Sequence, residues 1–364
     1  MMYVRQIFNK SGSVSMGQGM LYFIRHIVVF CTCLLLPVTV LAADDIMSPD
    51  FNDEPTAVPL KNPDWFKLSF LDLREDLQEA KASGKTGIIL YFGQDHCPYC
   101  KALLEVNFSR VDIARYTQEH FDVIALDIRG SRTVTDLEGH QISEKEFSID
   151  ENANFTPTLL FFDPTGKEVH RMVGYYQPYT FMAALEYVAD KHYLKQPFRD
   201  YLSRAESPDR EGREGLNQRD FFLPPPHNLD RTRFAGQRPL VVFFEQSKCH
   251  ACDILHNGPL THQDILSHIA KFDVVQLNAW SKEPIITPKG KRMTAGKWAE
   301  KLDIFYTPTI VFFDEHGDEI VRIASVVHFN RLSRVLQYVS TKGYLKYRNF
   351  ADWNAERQSR EGLK

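Results

Sequence analysis

The chain repeats itself, and that repeat limits its fold more than any other feature. Laid on itself with an offset near 151, FGQDHCPYC, TPTLLFFDPTGKEV and YVADKHYLK of the first half meet FFEQSKCHAC, TPTIVFFDEHGDEI and YVSTKGYLK of the second. Phe92 falls on Phe244, Gln94 on Gln246, Pro157 on Pro308, Gly166 on Gly317 and Tyr193 on Tyr344. Cys97 to Pro157 is 60 residues and Cys249 to Pro308 is 59. Register kept over so many elements indicates a duplicated domain rather than a repeated motif. The length of 364 residues agrees, since one domain takes roughly 150.

Around the two copies the chain divides by composition. Ile27 to Leu41 is the longest apolar run, with Arg25 and His26 before it and the small pair Ala42 and Ala43 after it. That order reads as a signal peptide over 1–42, removed together with Cys31 and Cys33, and places the mature protein in the periplasm. An uncleaved anchor is the alternative, disfavoured because the run is shorter than the roughly 20 residues that span a bilayer and contains Pro37. Residues 43–63 are Asp- and Pro-rich without periodicity and read as a flexible leader, and 203–230, with charged Glu206–Arg219 and Pro224–Pro226, as a linker. The copies then occupy 64–202 and 231–354. With 43% hydrophobic and 25% charged residues, each can bury a core. The net charge of −4 and the lack of a Lys/Arg block speak against nucleic acid as a partner.

Within the first copy the pattern predicts a helix over 70–82, a buried strand over 87–92 and a helix from 98 to about 104. Strands follow over 121–128, 158–162 and 168–173, then a helix over 178–189. The second copy predicts strands over 240–244, 272–277, 309–313 and 319–325 and a helix over 330–339, without the leading helix. Phe161, Phe162, Phe312 and Phe313 read as core. His250, His256, His262 and His268 recur every six residues, which is no common helical face, and read as surface residues rather than metal ligands.

The chemistry is carried by Cys97-Pro-Tyr-Cys100 and Cys249-His-Ala-Cys252, each placed after a buried strand and at the start of a helix. There, unpaired N–H groups and the helix dipole stabilise the thiolate of Cys97 or Cys249, and Cys100 or Cys252 lies one turn on, within disulfide reach. Such a pair exchanges dithiol for disulfide through a mixed disulfide. Thr156-Pro157 and Thr307-Pro308 open interior strands, where proline is costly unless cis, and would leave backbone free to pair with an extended substrate.

CPYC and CHAC after a strand, with TPT some sixty residues on, resemble the thioredoxin superfamily. The pattern FGQDHCPYCKALLE…TPTLLFFDPTGKE is similar to bacterial periplasmic thioredoxin-like proteins, such as those serving sulfur oxidation and the periplasmic domain of the transmembrane reductant conductor. The resemblance implies an α/β protein of two tandem thioredoxin-fold domains, each a central mixed sheet flanked by helices. It also implies nucleophiles at Cys97 and Cys249, resolving residues at Cys100 and Cys252, and cis prolines at Pro157 and Pro308. Thioredoxins carry Trp before the first cysteine, where His96 and Lys248 stand here, and a buried acid six residues before it, where Tyr91 and Phe243 stand here. The proton acceptor for the resolving thiol is therefore unassigned; Asp127 is a stand-in in the first copy only, since its counterpart is Asn278.

A shared zinc site is disfavoured because the two CxxC motifs lie about 150 residues apart, against roughly 15 to 20 in zinc ribbons. The expected function is an exported thiol-disulfide oxidoreductase that reduces periplasmic partner proteins, fed by a membrane electron donor, with no cofactor beyond the two cysteine pairs. A disulfide isomerase or oxidase, and a non-catalytic binding module with structural disulfides, are the competing readings. The insertions 129–155 and 281–306 are expected to flank the sites and shape partner choice.

Overall fold

The computed structural model describes residues 45–204 and 215–360. The signal-peptide reading of 1–42 and the middle of the linker lie outside the described residues. Among those described, no helix is long and apolar enough to cross a membrane.

The first copy opens with α1 (Leu73–Ala82), capped by the Asp72 carboxylate, which accepts from the N–H groups of Arg74 and Glu75. Strand β1 (Gly87–Gly93) leads into the short helix α2 (Pro98–Ala102), which runs on as a π-helical turn over Leu103–Asn107. Helix α3 (Val111–His120), which the sequence reading passed over, returns the chain to β2 (Phe121–Asp127). A small hairpin, β3 (Thr133–Thr135) and β4 (Gln141–Ser143), and α4 (Glu144–Asp150) come before β5 (Thr158–Phe162), β6 (Glu168–Val173), α5 (Pro178–Ala189) and α6 (Phe198–Ser203). The sheet order is β2-β1-β5-β6, with β1 parallel to β2 and the other neighbours antiparallel.

The second copy repeats this plan. Strand β7 (His227–Asn228) stands where the leading helix would be. It is followed by β8 (Leu240–Glu245), α7 (His250–Asn257), α8 (Gln263–Ile269), β9 (Asp273–Asn278), β10 (Pro284–Ile286), β11 (Arg292–Thr294) and α9 (Ala295–Lys301). Strands β12 (Thr309–Phe313) and β13 (Glu319–Ile323) and helices α10 (Phe329–Ser340) and α11 (Phe350–Arg360) complete it. The order β13-β12-β8-β9 mirrors the first sheet, so the expected pair of mixed sheets flanked by helices is present. The insertions form the β3–β4 hairpin, bridged to Asp72 through Thr135, and the β10–β11 hairpin, which pairs with β7.

Two segments differ from their reading as flexible connectors. The leader packs from Asp45 onward, burying Ile46 and Asp53, because the groove it crosses supplies partners for its few apolar and acidic side chains. The end of the linker joins the second copy: Phe222 sits in its core, and β7 enters the β10–β11 sheet.

The copies share an apolar seam. One continuous apolar cluster holds both cysteine pairs together with Tyr175, Tyr176, Tyr306 and Val326. Val326 N–H donates to Tyr175 O at 3.3 Å. Arg199 of α6 crosses the seam, stacks on Trp280 at 3.6 Å and donates to the carbonyls of Ala279 and Ile304. Gly174, at φ +96°, faces Ser325 so closely that a Cβ there would lie 2.0 Å from its Oγ and 2.6 Å from its Cβ.

Gly174→Ala is expected to lower stability by about 2–3 kcal/mol, from the left-handed backbone and the clash together, read as a fall in the urea midpoint. His170 supplies a pH test. Its Nε2 is shut from solvent without a partner among the rings of Phe161, Tyr187, Phe198 and Phe305. Burial pushes it down to about 3 from the ordinary 6.5. The unfolded chain therefore takes up a proton that the folded chain refuses, so the stability that neutral His170 contributes is complete above about pH 6.5 and is lost as pH falls toward 3. His170→Phe should flatten the acid limb of stability by roughly 1 kcal/mol per pH unit in urea titrations between about pH 4 and pH 6.

Candidate functional site

Strand register brings the two halves of each site together. Phe92 at the end of β1 pairs with Thr158 at the start of β5, and Phe244 at the end of β8 pairs with Thr309 at the start of β12. The CxxC that leaves one strand therefore meets the Thr-Pro loop that enters the other. The Thr156–Pro157 and Thr307–Pro308 bonds are cis, as the resemblance implied. Each pair forms a disulfide, Cys97–Cys100 and Cys249–Cys252. The first sulfur of each N-caps its helix, accepting from the N–H of Cys100 at 3.0 Å and of Cys252 at 3.1 Å. Thr156 Oγ1 donates to Cys97 Sγ at 3.2 Å, and Thr307 Oγ1 lies 3.5 Å from Cys249 Sγ. Immediately before the first cysteine of each pair the backbone takes left-handed values, φ 61° at His96 and 56° at Lys248.

Beyond this shared frame the two sites diverge. At the first, helix α10 of the other copy starts beside the cysteines. Its first-turn N–H groups have no side-chain cap of their own. Instead Asp53 of the leader accepts from Asn330 N and Arg331 N, both at 2.8 Å, and from Tyr99 Oη at 2.9 Å, while Tyr99 Oη accepts from His328 N at 3.0 Å. Arg331 then lies flat on the Tyr99 ring, 3.6 Å from its centroid, and donates from Nη2 to Thr156 O at 2.8 Å. Burial pushes the Arg331 guanidinium below its ordinary value, with Tyr99 and Asp53 pulling the other way. Burial, reinforced by Asp53, likewise raises the Tyr99 phenol well above its own. Phe350 of α11 packs on Phe155 at 4.9 Å, and the space left beside Cys97 is about 70 Å³.

At the second site the corresponding helix is α5, and its third residue is Thr180 where α10 has Arg331. The residue inside the motif is Ala251 where the first site has Tyr99. Neither side chain reaches across, and a cleft of about 570 Å³ remains over Cys249, walled by Leu202, Trp280, Phe305 and Tyr306. Cys249 is 7% exposed against 2% for Cys97, and Thr307 is half-buried where Thr156 is buried.

The cysteines and Thr-Pro loops named from sequence thus sit together in pairs. The ends of both insertions do flank the sites, through Asn154 and Phe155 at the first and Phe305 and Tyr306 at the second. One reading needs correction: His256 is not a surface residue. Its Nε2 lies 2.9 Å from Glu245 Oε1 in the core, and Gln276 Nε2 donates to Glu245 Oε2 at 3.0 Å. A buried acid is therefore present on β8, four residues before Cys249 rather than six, and the first copy has Gly93 in its place. The sequence signal was a charged residue ending the apolar run 240–244. Asp127 is half-buried, and burial raises its carboxyl. The contacts of Asp53 and Arg331 had no local signal, since Asp53 reaches Asn330 and Arg331 reaches Thr156, each across more than a hundred residues.

A family model described as a thioredoxin-like domain matches residues 73–189 and again 226–340. Among solved structures, a thioredoxin-fold protein from Helicobacter pylori is 25% identical over 33% of this chain and 80% of its own, with a TM-score of 0.29. A thioredoxin from Thermus thermophilus is 27% identical over 32% and 83%, with a TM-score of 0.27. A disulphide isomerase from Xylella fastidiosa Temecula1 is 17% identical over 40% and 99%, with a TM-score of 0.23. No curated protein matches the chain. With both halves matched by one model and each carrying a cysteine pair beside a cis Thr-Pro loop, the chain belongs to the thioredoxin-like family as a tandem member.

Proposed function

We propose that the chain is a thiol-disulfide oxidoreductase that reduces partner proteins through Cys249 and Cys252, while domain packing holds Cys97 and Cys100 closed. The contact that carries this reading is Arg331 on Thr156 O, set against the open cleft at Thr307. With the second pair as a dithiol, the Cys249 thiolate at the start of α7 attacks a partner disulfide. The partner strand pairs with backbone around Thr307 and Pro308, and Cys252 resolves the mixed disulfide, leaving the protein pair oxidised and the partner with two thiols. Work in the periplasm, and supply of electrons by a membrane donor, are supported only by the apolar run Ile27–Leu41 and the family resemblance.

The test is dithiothreitol-driven reduction of insulin. Cys249→Ser should lower the catalysed rate by about 100-fold or more. Adding Arg331→Ala to Cys249→Ser should restore a substantial part of it through the uncovered Cys97. A Cys249→Ser protein that keeps the full rate would sink the assignment, and a double variant that stays inactive while folded would show that Arg331 is not what closes the first pair.

A further inference from the structure

The cleft over Cys249 differs from the first site in charge as well as in room. Lys248 and His250 stand on either side of the nucleophile, both exposed, and Arg199 forms part of the wall. No Asp or Glu is among its lining residues. Asp303, which interacts with the Arg199 charge, and Glu245, turned inward to His256, do not line it. The remaining polar lining groups, among them Gln177, Gln246 and Ser203, are neutral. Two exposed basic side chains, Lys248 and His250, flank one sulfur in a cleft without an acid among its lining residues, and a low-dielectric wall focuses the positive field of Lys248.

Size selects in the same direction. The far wall is the other copy, through Thr180 and Leu202, so a small reactant in the cleft meets side chains of both copies. A volume of about 570 Å³ lies within the ~300–1,000 Å³ common for small-molecule sites. The slot exists because Thr180 and Ala251 stand where Arg331 and Tyr99 fill the first site.

We propose that the cleft between the two copies is a binding site for small disulfides carrying carboxylates, and that Lys248 and His250 select them for exchange at Cys249. The proposal rests on Cys249 being the exchanging residue and adds the substrate class. The Cys249 thiolate attacks one sulfur of R–S–S–R, the S–S bond breaks, and one R–S⁻ leaves with the electron pair and takes a proton from water. Cys252, after losing its proton to solvent, attacks Cys249 Sγ and releases the second R–S⁻. The protein dithiol is oxidised by two electrons and the small disulfide is reduced to two thiols.

The experiment uses the intact reduced chain and three disulfides differing in charge: glutathione disulfide (anionic), hydroxyethyl disulfide (neutral) and cystamine (cationic). Oxidation of each cysteine pair is followed by acid quench, alkylation and peptide mapping, which separates the two sites without any substitution. Each rate is divided by the rate of the same disulfide with free dithiothreitol, removing intrinsic reactivity. The expected order at Cys249/Cys252 is anionic over neutral over cationic, with about 10-fold between the extremes at low salt, collapsing as salt is raised. Lys248→Glu, on an exposed side chain, should erase or invert that order. Equal normalised rates for the three, or no exchange with any of them, overturn this proposal and leave the oxidoreductase reading standing, since that reading is decided separately by the reduction of insulin.

Discussion

One contact between the copies sets the two cysteine sites apart. Arg331 reaches from the second copy to the backbone carbonyl of Thr156, beside Cys97, and covers it. It can do so only because three other groups hold it. Asp53 of the leader satisfies the start of α10, Tyr99 offers a flat ring for the guanidinium, and His328 donates its N–H to the Tyr99 hydroxyl. A buried guanidinium without such partners would be strongly unfavourable, so leader, motif and helix form one unit. The leader is ordered for the same reason.

The duplication makes the asymmetry interpretable. Two copies of one fold face each other so that the helix after each Thr-Pro loop points at the other's cysteines. Swapping two side chains, Tyr99 for Ala251 and Arg331 for Thr180, turns a filled contact into a cleft. The fold itself is unaffected, because neither pair belongs to the sheet. Function on this scaffold can therefore diverge between copies without altering the strands that hold the cysteines. The buried Glu245–His256 pair, present only in the second copy, adds a further difference beneath α7.

Much of this was legible in the chain. The strands β1, β5, β8 and β12 are short apolar runs ended by turns or cysteines, and a local pattern suffices to find them. Both CxxC motifs and both Thr-Pro loops were legible because their chemistry is local in sequence. Helices α3 and α8 were passed over, since each is short and largely polar with few buried positions. His256 was misplaced because its partners come from β8 and β9, which periodicity along one helix cannot reveal. The leader looked flexible because its few buried groups, Ile46 and Asp53, become meaningful only against a surface built from both copies.

By itself, then, the sequence determined that there are two thioredoxin-like domains, where their cysteines lie, and that a Thr-Pro loop would stand beside each. These follow from local periodicity, from a repeat that holds register, and from the few roles open to proline and cysteine. Only the tertiary structure decided which pair is closed and which opens on a cleft. That outcome depends on side chains that meet backbone more than a hundred residues away in the chain, Asp53 at Asn330 N–H and Arg331 at Thr156 O, brought together by the packing of one copy on the other. No one-dimensional pattern encodes a contact of that separation, because it is the shape of the whole seam that sets the distance.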